Sequence, residues 1–267
     1  MRKIIRRNII PSGYKILQSC CPAGLCFTVW EDKEMNKLNL SETAAHHSIA
    51  LTGGFFGIYA LLLRSENFGS SETANLIFLF ASGLGGEWSV FRIRLAALFV
   101  YVGGLVFATL ISKCFKNGDF RYLGILIDLI ACLVLAQIPA DVDPVLALYP
   151  MFFATAVQWL AFTSASGFSS STVFSTNNTR QMVTGLTEYI YSRDRMQLLR
   201  ARFFAGTLIC FHLGVVYGYL CLQRWKIKSI YMVIPLLGIA AVCTFLDRMK
   251  RSREYAEEQQ SLSADAS

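Results

Sequence analysis

LAALFVYVGGLVFATLI, residues Leu95–Ile111, runs for 17 residues without a charged side chain or a proline. As a helix it is about 26 Å long at about 1.5 Å per residue, close to the hydrocarbon thickness of a bilayer, about 30 Å. Arg92 and Arg94 precede it and Lys113 follows it, so charge brackets the apolar stretch as it does at a membrane boundary. The segment to which it belongs, 95–112, has counterparts at 48–63, 73–86, 122–139, 145–163, 203–222 and 229–246, with a weaker one at 177–191.

Composition carries the same message through all 267 residues. Hydrophobic residues make up 54% of the chain and charged residues 16%, where a soluble domain carries about a quarter. Twenty Phe, eleven Tyr and nineteen Gly supply the aromatic and small residues common in membrane helices. A soluble enzyme, a disordered tail and a disulfide-rich secreted module are excluded. The net charge of +7 is concentrated in Met1–Lys15, Arg193–Arg202 and Arg248–Arg253, all beside apolar segments. Such flanks face a lipid bilayer, so nucleic acid is not the expected partner. Of the eight Cys, Cys114, Cys132, Cys210, Cys221 and Cys243 are single residues in or beside apolar stretches. Cys20, Cys21 and Cys26 have no second cluster or His at metal-ligand spacing. Neither metal nor cofactor is expected.

The expected fold is all-α, a polytopic transmembrane bundle of six to eight helices with a two-fold internal repeat containing short or broken helices. Residues 1–46 form a polar, basic N-terminal segment, 47–140 and 141–247 the two membrane repeats, and 248–267 a polar cytoplasmic tail. Met35 opens a second plausible start, and translation is expected to begin there, leaving 1–34 as an over-extended beginning.

Two segments depart from a simple span. The stretch 73–86 is short, and 177–191 is amphipathic, with Met182, Val183, Leu186, Tyr189 and Ile190 opposite Arg180, Gln181, Thr184, Thr187 and Glu188. Each follows a polar, Ser-containing loop that runs into Thr-x-Asn, as Thr73-Ala74-Asn75 and Thr176-Asn177-Asn178. Short or broken helices at matching places in two halves mark the binding site of many secondary transporters. If both cross, eight spans result and the halves are parallel; if both are re-entrant, there are six spans and the halves are inverted. With the N-terminus inside, six spans put Lys113, Lys116, Arg121 and Arg193–Arg202 in the cytoplasm and Asp141 and Asp143 outside. Eight spans move Lys113–Arg121 outside. Both leave Arg224, Lys226 and Lys228 on the unfavoured side, so the charge count leans only slightly to six.

The residues around the two loops also resemble a known family. Gly53-Gly54-Phe55-Phe56-Gly57-Ile58-Tyr59, then Asn67-Phe68-Gly69 to Thr73-Ala74-Asn75-Leu76, resembles the first signature of the YoaK-like family, bacterial integral membrane proteins of unknown function. Gln158-Trp159-Leu160-Ala161-Phe162 and Ser171 to Gln181 are similar to its second signature, and Phe211-His212-Leu213-Gly214 to the helix after it. The resemblance covers about 45–247. Gly57 stands where the family often has Asp, and Ala74 where it often has Gly. It implies a multi-pass plasma-membrane protein, conjecturally a transporter, and names no substrate.

Thr73, Asn75, Gln158, Thr176, Asn177, Asn178 and Arg180 are the candidate solute-binding residues. Thr and Asn at the start of a half-helix can line a polar cavity or simply cap free N–H groups. Asp128, within Leu-Ile-Asp-Leu-Ile, must face protein or water, because a carboxylate facing lipid costs at least about 2.5 kcal/mol. It can relay protons with His212 as the titrating partner, or each can be half of a structural pair. Arg180 and Glu188 can pair with Asp128 or with a substrate. Gln158-Trp159 can line the pathway or anchor at the interface. Gly103-Gly104 and Gly214/Gly218 should allow close helix approach. No nucleophile–base set, phosphate loop or Gly-x-Ser-x-Gly turn occurs, so no enzymatic activity is expected. A small-solute permease is the leading reading; a non-transporting protein that binds lipid or a protein partner is the alternative.

Overall fold

Local stop and start signals divide the apolar runs into helices. In the computed structural model, which describes residues 14–20, 26–32, 38–64, 72–115 and 120–265, α1 spans Leu40–Leu63, α2 Glu72–Leu84, α3 Trp88–Ser112 and α4 Phe120–Leu135. Pro144–Ala147 (α5) and Tyr149–Ala161 (α6) follow, then Thr176–Ser192 (α7), Arg195–Trp225 (α8) and Val233–Asp265 (α9), the last two joined by 3-10 turns over Lys226–Met232. Gly86, at φ 77°, turns the chain out of α2. Asp143 starts α5, its Oδ1 accepting from Val145 N and Leu146 N at 2.9 and 3.0 Å, with Pro144 in the first turn. Arg193 in the left-handed region ends α7, and the Asp194 side chain accepts from Met196 N at 2.9 Å to begin α8.

Short antiparallel hairpins complete the fold. One pairs β1 (Tyr14–Cys20) with β2 (Cys26–Asp32); the other pairs β3 (Ser164–Ala165) with β4 (Phe168–Ser169). The proposed start at Met35 lies outside the described residues, as does Asn67-Phe68-Gly69.

The architecture is an all-α bundle. Leu40–Leu63, Trp88–Ser112 and the α8–α9 run Arg195–Ser263 are helices long and apolar enough to cross a membrane. The first of them begins at Leu40, before the apolar stretch read from 48. Its first turn is polar in sequence, but Ser41 and Glu42 are paired with groups on other helices, which supports helix where hydropathy gives no signal.

Side-chain contacts set the running directions. α1 and α8 are parallel, with His47 beside Phe203, Gly54 beside Phe211 and Ile58 beside Gly218. α3 and α6 are parallel too: the Tyr149 hydroxyl donates to Ile93 O, and Gly104 lies against Phe153 and Ala156. α4 opposes α6, with Gly124 against Ala161, and α9 opposes α1, with Ser41 donating to Asp247. α1, α4 and α8 therefore start at one end of the bundle, the Leu40 end. α3, α6 and α9 start at the other, where Arg64 donates to Ile138 O and Pro139 O at 3.1 and 3.0 Å.

α2 and α7 do not run the full depth. Gly83 lies against Phe91, Phe78 beneath Arg94, and Glu72 acts electrostatically on Tyr101, midway along α3. α2 thus begins halfway down α3 and emerges at the Arg64 end. α7 packs antiparallel on the first third of α8, with Gln181 bonded to Arg200 and Gly185 against Gln197 and Ala201, and emerges at the Leu40 end.

α1 is the centre of the bundle. From Ala45 to Ala60 none of its residues is exposed, and it packs on α8 and α9 while α6 packs on α3 and α4. Between apolar helices in lipid no hydrophobic gradient favours contact, so small residues that let backbones touch become the means of association. Gly54 and Gly214 face each other's helices in this way; Gly104 lets α3 approach α6 and Gly218 lets α8 approach α1, whereas a Cβ at Gly103 would meet nothing among the described residues.

Candidate functional site

Non-helical backbone inside a membrane protein must find its hydrogen bonds within the protein, and residues 170–175 do so beside the middle of α1. Ser170, Ser171, Thr172 and Val173 are all buried. Gly53 makes room for the segment: a Cβ there would strike the Thr172 carbonyl. Asn178, 1% exposed, organises the turn. Its Nδ2 donates to Ser171 O at 2.6 Å and Phe174 O at 3.1 Å, while its Oδ1 accepts from Ser170 Oγ at 3.1 Å and Ser171 N at 3.4 Å. The Ser171 hydroxyl accepts from Val173 N and Phe174 N.

Gln158 joins this segment to α1. It is fully buried at the end of α6, and its Nε2 donates to Thr172 Oγ1 at 3.1 Å and to Ile49 O at 3.5 Å. Among the described residues its Oε1 has no hydrogen-bond partner, and neither has the buried Thr52 hydroxyl on α1. Trp159 is half-buried, edge-on to Phe174. Gln158, Thr172, Gly53 and Asn178 thus meet at one place.

The other expected residues lie elsewhere. Capping by the second Thr-x-Asn motif is not seen among the described residues: Ser175, not Thr176, precedes the first turn of α7 and makes no side-chain cap. Thr176 and Asn177 are exposed. Arg180 is exposed and donates to Asn177 Oδ1 at 3.0 Å instead of reaching Asp128, because three residues on one helix face are closer than the bundle interior. Glu188 is exposed as well. In the first half, Asn75 is 4% exposed and donates to Glu72 Oε1 at 3.5 Å, while Thr73 is exposed. α2 packs on α3 and α7 on α8, so each Thr-x-Asn is held within its own half-helix unit.

Asp128 is fully buried on the inward face of α4, and neither carboxylate oxygen has a hydrogen-bond partner among the described residues. His212 is not its partner. The ring is exposed on α8, with Nδ1 against Leu208 O at 2.8 Å, and α4 packs on α6 and α9.

A charge cluster at the Leu40 end escaped the sequence reading. Arg121 bonds Glu42 and Asp247, both at 3.1 Å, and Arg251 bonds the same two carboxylates at 2.7 and 2.8 Å. Asp247 is 3% exposed and Glu42 18%. The four groups close a ring across α1, α4 and α9. Glu42 also accepts from Ser166 N at 2.9 Å, at the tip of the β3–β4 hairpin. One turn further in, His46 is buried with neither ring nitrogen hydrogen-bonded among the described residues, its ring 5.4 Å from that of Phe203. The four charges lie up to 209 positions apart in sequence, so spacing gave no hint of them.

An all-α bundle with membrane-length helices, two part-depth helices and a buried, hydrogen-bonded break beside its central helix defines the class: a helical membrane protein. Residues 46–244 match the family model described as a protein of unknown function, DUF1275. The chain belongs to that family, the one that its paired signatures resemble. No curated protein and no solved structure matches it.

Proposed function

We propose that this protein is a multi-pass plasma-membrane permease for a small solute, coupled to protons through Asp128. The reading has α1, α3, α4, α6, α8 and α9 crossing the bilayer, with α2 and α7 entering from opposite faces and stopping part-way. The observation that carries it is the matched placement of these two half-helices: α2 opens to the Arg64 end and α7 to the Leu40 end. The packing repeats with the halves exchanged, α1 on α8 and α9, α6 on α3 and α4, as an inverted repeat requires. The Leu40 end, with Arg121, Arg200, Arg248 and Arg251, is then cytoplasmic by the positive-inside rule.

The solute site in this reading is the junction of α1, α6 and the 170–173 segment. Gln158 Oε1 offers a polar atom there that the described residues leave unbonded. Asp128 supplies the coupling carboxyl without His212. No catalytic step and no cofactor enter the reading. The test is uptake by reconstituted vesicles across a metabolite panel under an imposed proton gradient, with Asp128→Asn as control. Gradient-driven uptake that Asp128→Asn abolishes supports it. No movement of any solute under any gradient favours the second reading, a membrane protein that binds lipid or a partner. One observation speaks for that alternative: every hydrogen bond of Asn178 is spent inside its own loop.

A further inference from the structure

Glu42, His46, Ile49 and Gly53 follow one another along one side of α1 at spacings of four, three and four residues. Each touches or approaches a different group between the Leu40 end and the 170–173 segment. Glu42 holds the charge ring, His46 lies within electrostatic reach of Arg121, Ile49 O accepts from Gln158, and Gly53 seats Thr172. The β3–β4 hairpin lies over the outer end of this line. Its tip, Ser166 at φ 51° and Gly167 at φ 78°, is a two-residue turn docked on the start of α1. Asn39 N donates to Ser166 Oγ at 3.0 Å, Thr43 Oγ1 lies 2.8 Å from it, and Ser166 N donates to Glu42. Three residues after the tip the chain enters the buried segment 170–173, whose Thr172 meets Gln158 and Gly53.

We propose that Glu42 is the latch of a gate at the Leu40 end, an inference that rests on the permease reading. Its two oxygens divide the work. Oε1 takes both guanidiniums, drawing α1, α4 and α9 together, and Oε2 holds the hairpin whose continuation closes on the solute site. Asp247 completes the ring but bonds Ser41 rather than the hairpin. Glu42 is therefore the one acidic member of the ring tied to the hairpin. Release of Glu42 leaves the hairpin tip held only through the Ser166 hydroxyl to Asn39 and Thr43, loosening it from α1 and opening a way in to Thr172.

The test uses full-length protein in vesicles, with its eight native cysteines replaced and Thr172→Cys as reporter. A membrane-impermeant maleimide is applied from the Leu40 side. Glu42→Gln is expected to speed labelling by about tenfold or more, the factor expected when a charge-assisted hydrogen bond is lost. Asp247→Asn is expected to speed it less. Hydrogen exchange in the chain with Glu42→Gln should rise over 164–175 and stay unchanged in α8. Unchanged labelling, a larger effect from Asp247→Asn, or a rise in exchange shared by α1, α8 and α9 overturns the latch. Labelling needs no solute, so the readings separate. A gate that opens while no solute crosses keeps the latch and sinks the permease; uptake with labelling indifferent to Glu42 does the reverse.

Discussion

Gly54→Ala tests the contact on which the bundle depends. A Cβ at Gly54 would lie 2.8 Å from Phe211 C and 3.0 Å from Val215 N, backbone atoms of α8 that cannot rotate away. Carbon contacts settle at about 3.5–4.0 Å, so α1 and α8 must part by roughly 1 Å. A gap of that order forfeits about a quarter to a half of each facing dispersion contact, and overpacking of this kind costs about 1–3 kcal/mol. Ala is the better helix former by about 1 kcal/mol, which offsets part of the loss. The net expectation is about 1 kcal/mol of destabilisation, and about 2 kcal/mol at most. Gly214→Ala should match it, since its Cβ would lie 2.7 Å from Leu51 C on the opposite wall. The double variant should cost less than the sum, because helices parted once have room for the second methyl. Gly103→Ala meets nothing within 4 Å and should be neutral or slightly stabilising. Unfolding by dodecyl sulfate in mixed micelles, followed by tryptophan fluorescence, measures all four. Equal stability of Gly54→Ala and Gly103→Ala, to within about 0.5 kcal/mol, would refute the backbone-to-backbone approach of α1 and α8.

Arg64→Gln removes two charge-assisted bonds from a side chain 1% exposed at the far end of α1; a loss of about 2–3 kcal/mol is expected in the same titration. Asp128→Val should raise stability by about 1–2 kcal/mol while abolishing proton-driven uptake, because it deletes a buried carboxyl that none of the described residues bonds. A clear drop in stability would mean that Asp128 is a structural residue. Asn178→Ala orphans Ser171 O and Phe174 O and should cost about 2–4 kcal/mol, seen as faster hydrogen exchange confined to 170–175. Protection unchanged there would show that the segment does not depend on its asparagine.

Much of this protein was legible before any fold was known. Charge-free runs such as Leu95–Ile111 define membrane-length helices because each residue of lipid-facing helix must be apolar. The shortness of 73–86 and the polar face of 177–191 marked the two helices that run only part of the depth. Asn178 and Gln158 stood out within a motif. The motif could not say what they bond: the Thr-x-Asn pattern reads as a cap, and Asn178 turned back to the loop before it. The tertiary structure alone decided that α2 and α7 open to opposite ends, that Asp128 and His212 face apart, and that Glu42, Arg121, Asp247 and Arg251 meet. Hydrophobicity and helical periodicity are local properties and persist in any arrangement of the helices. An ion ring spanning three helices depends on which ends come together, and that depends on close approaches such as Gly54 on Phe211 and Gly214 on Leu51, where the absence of a side chain is the signal.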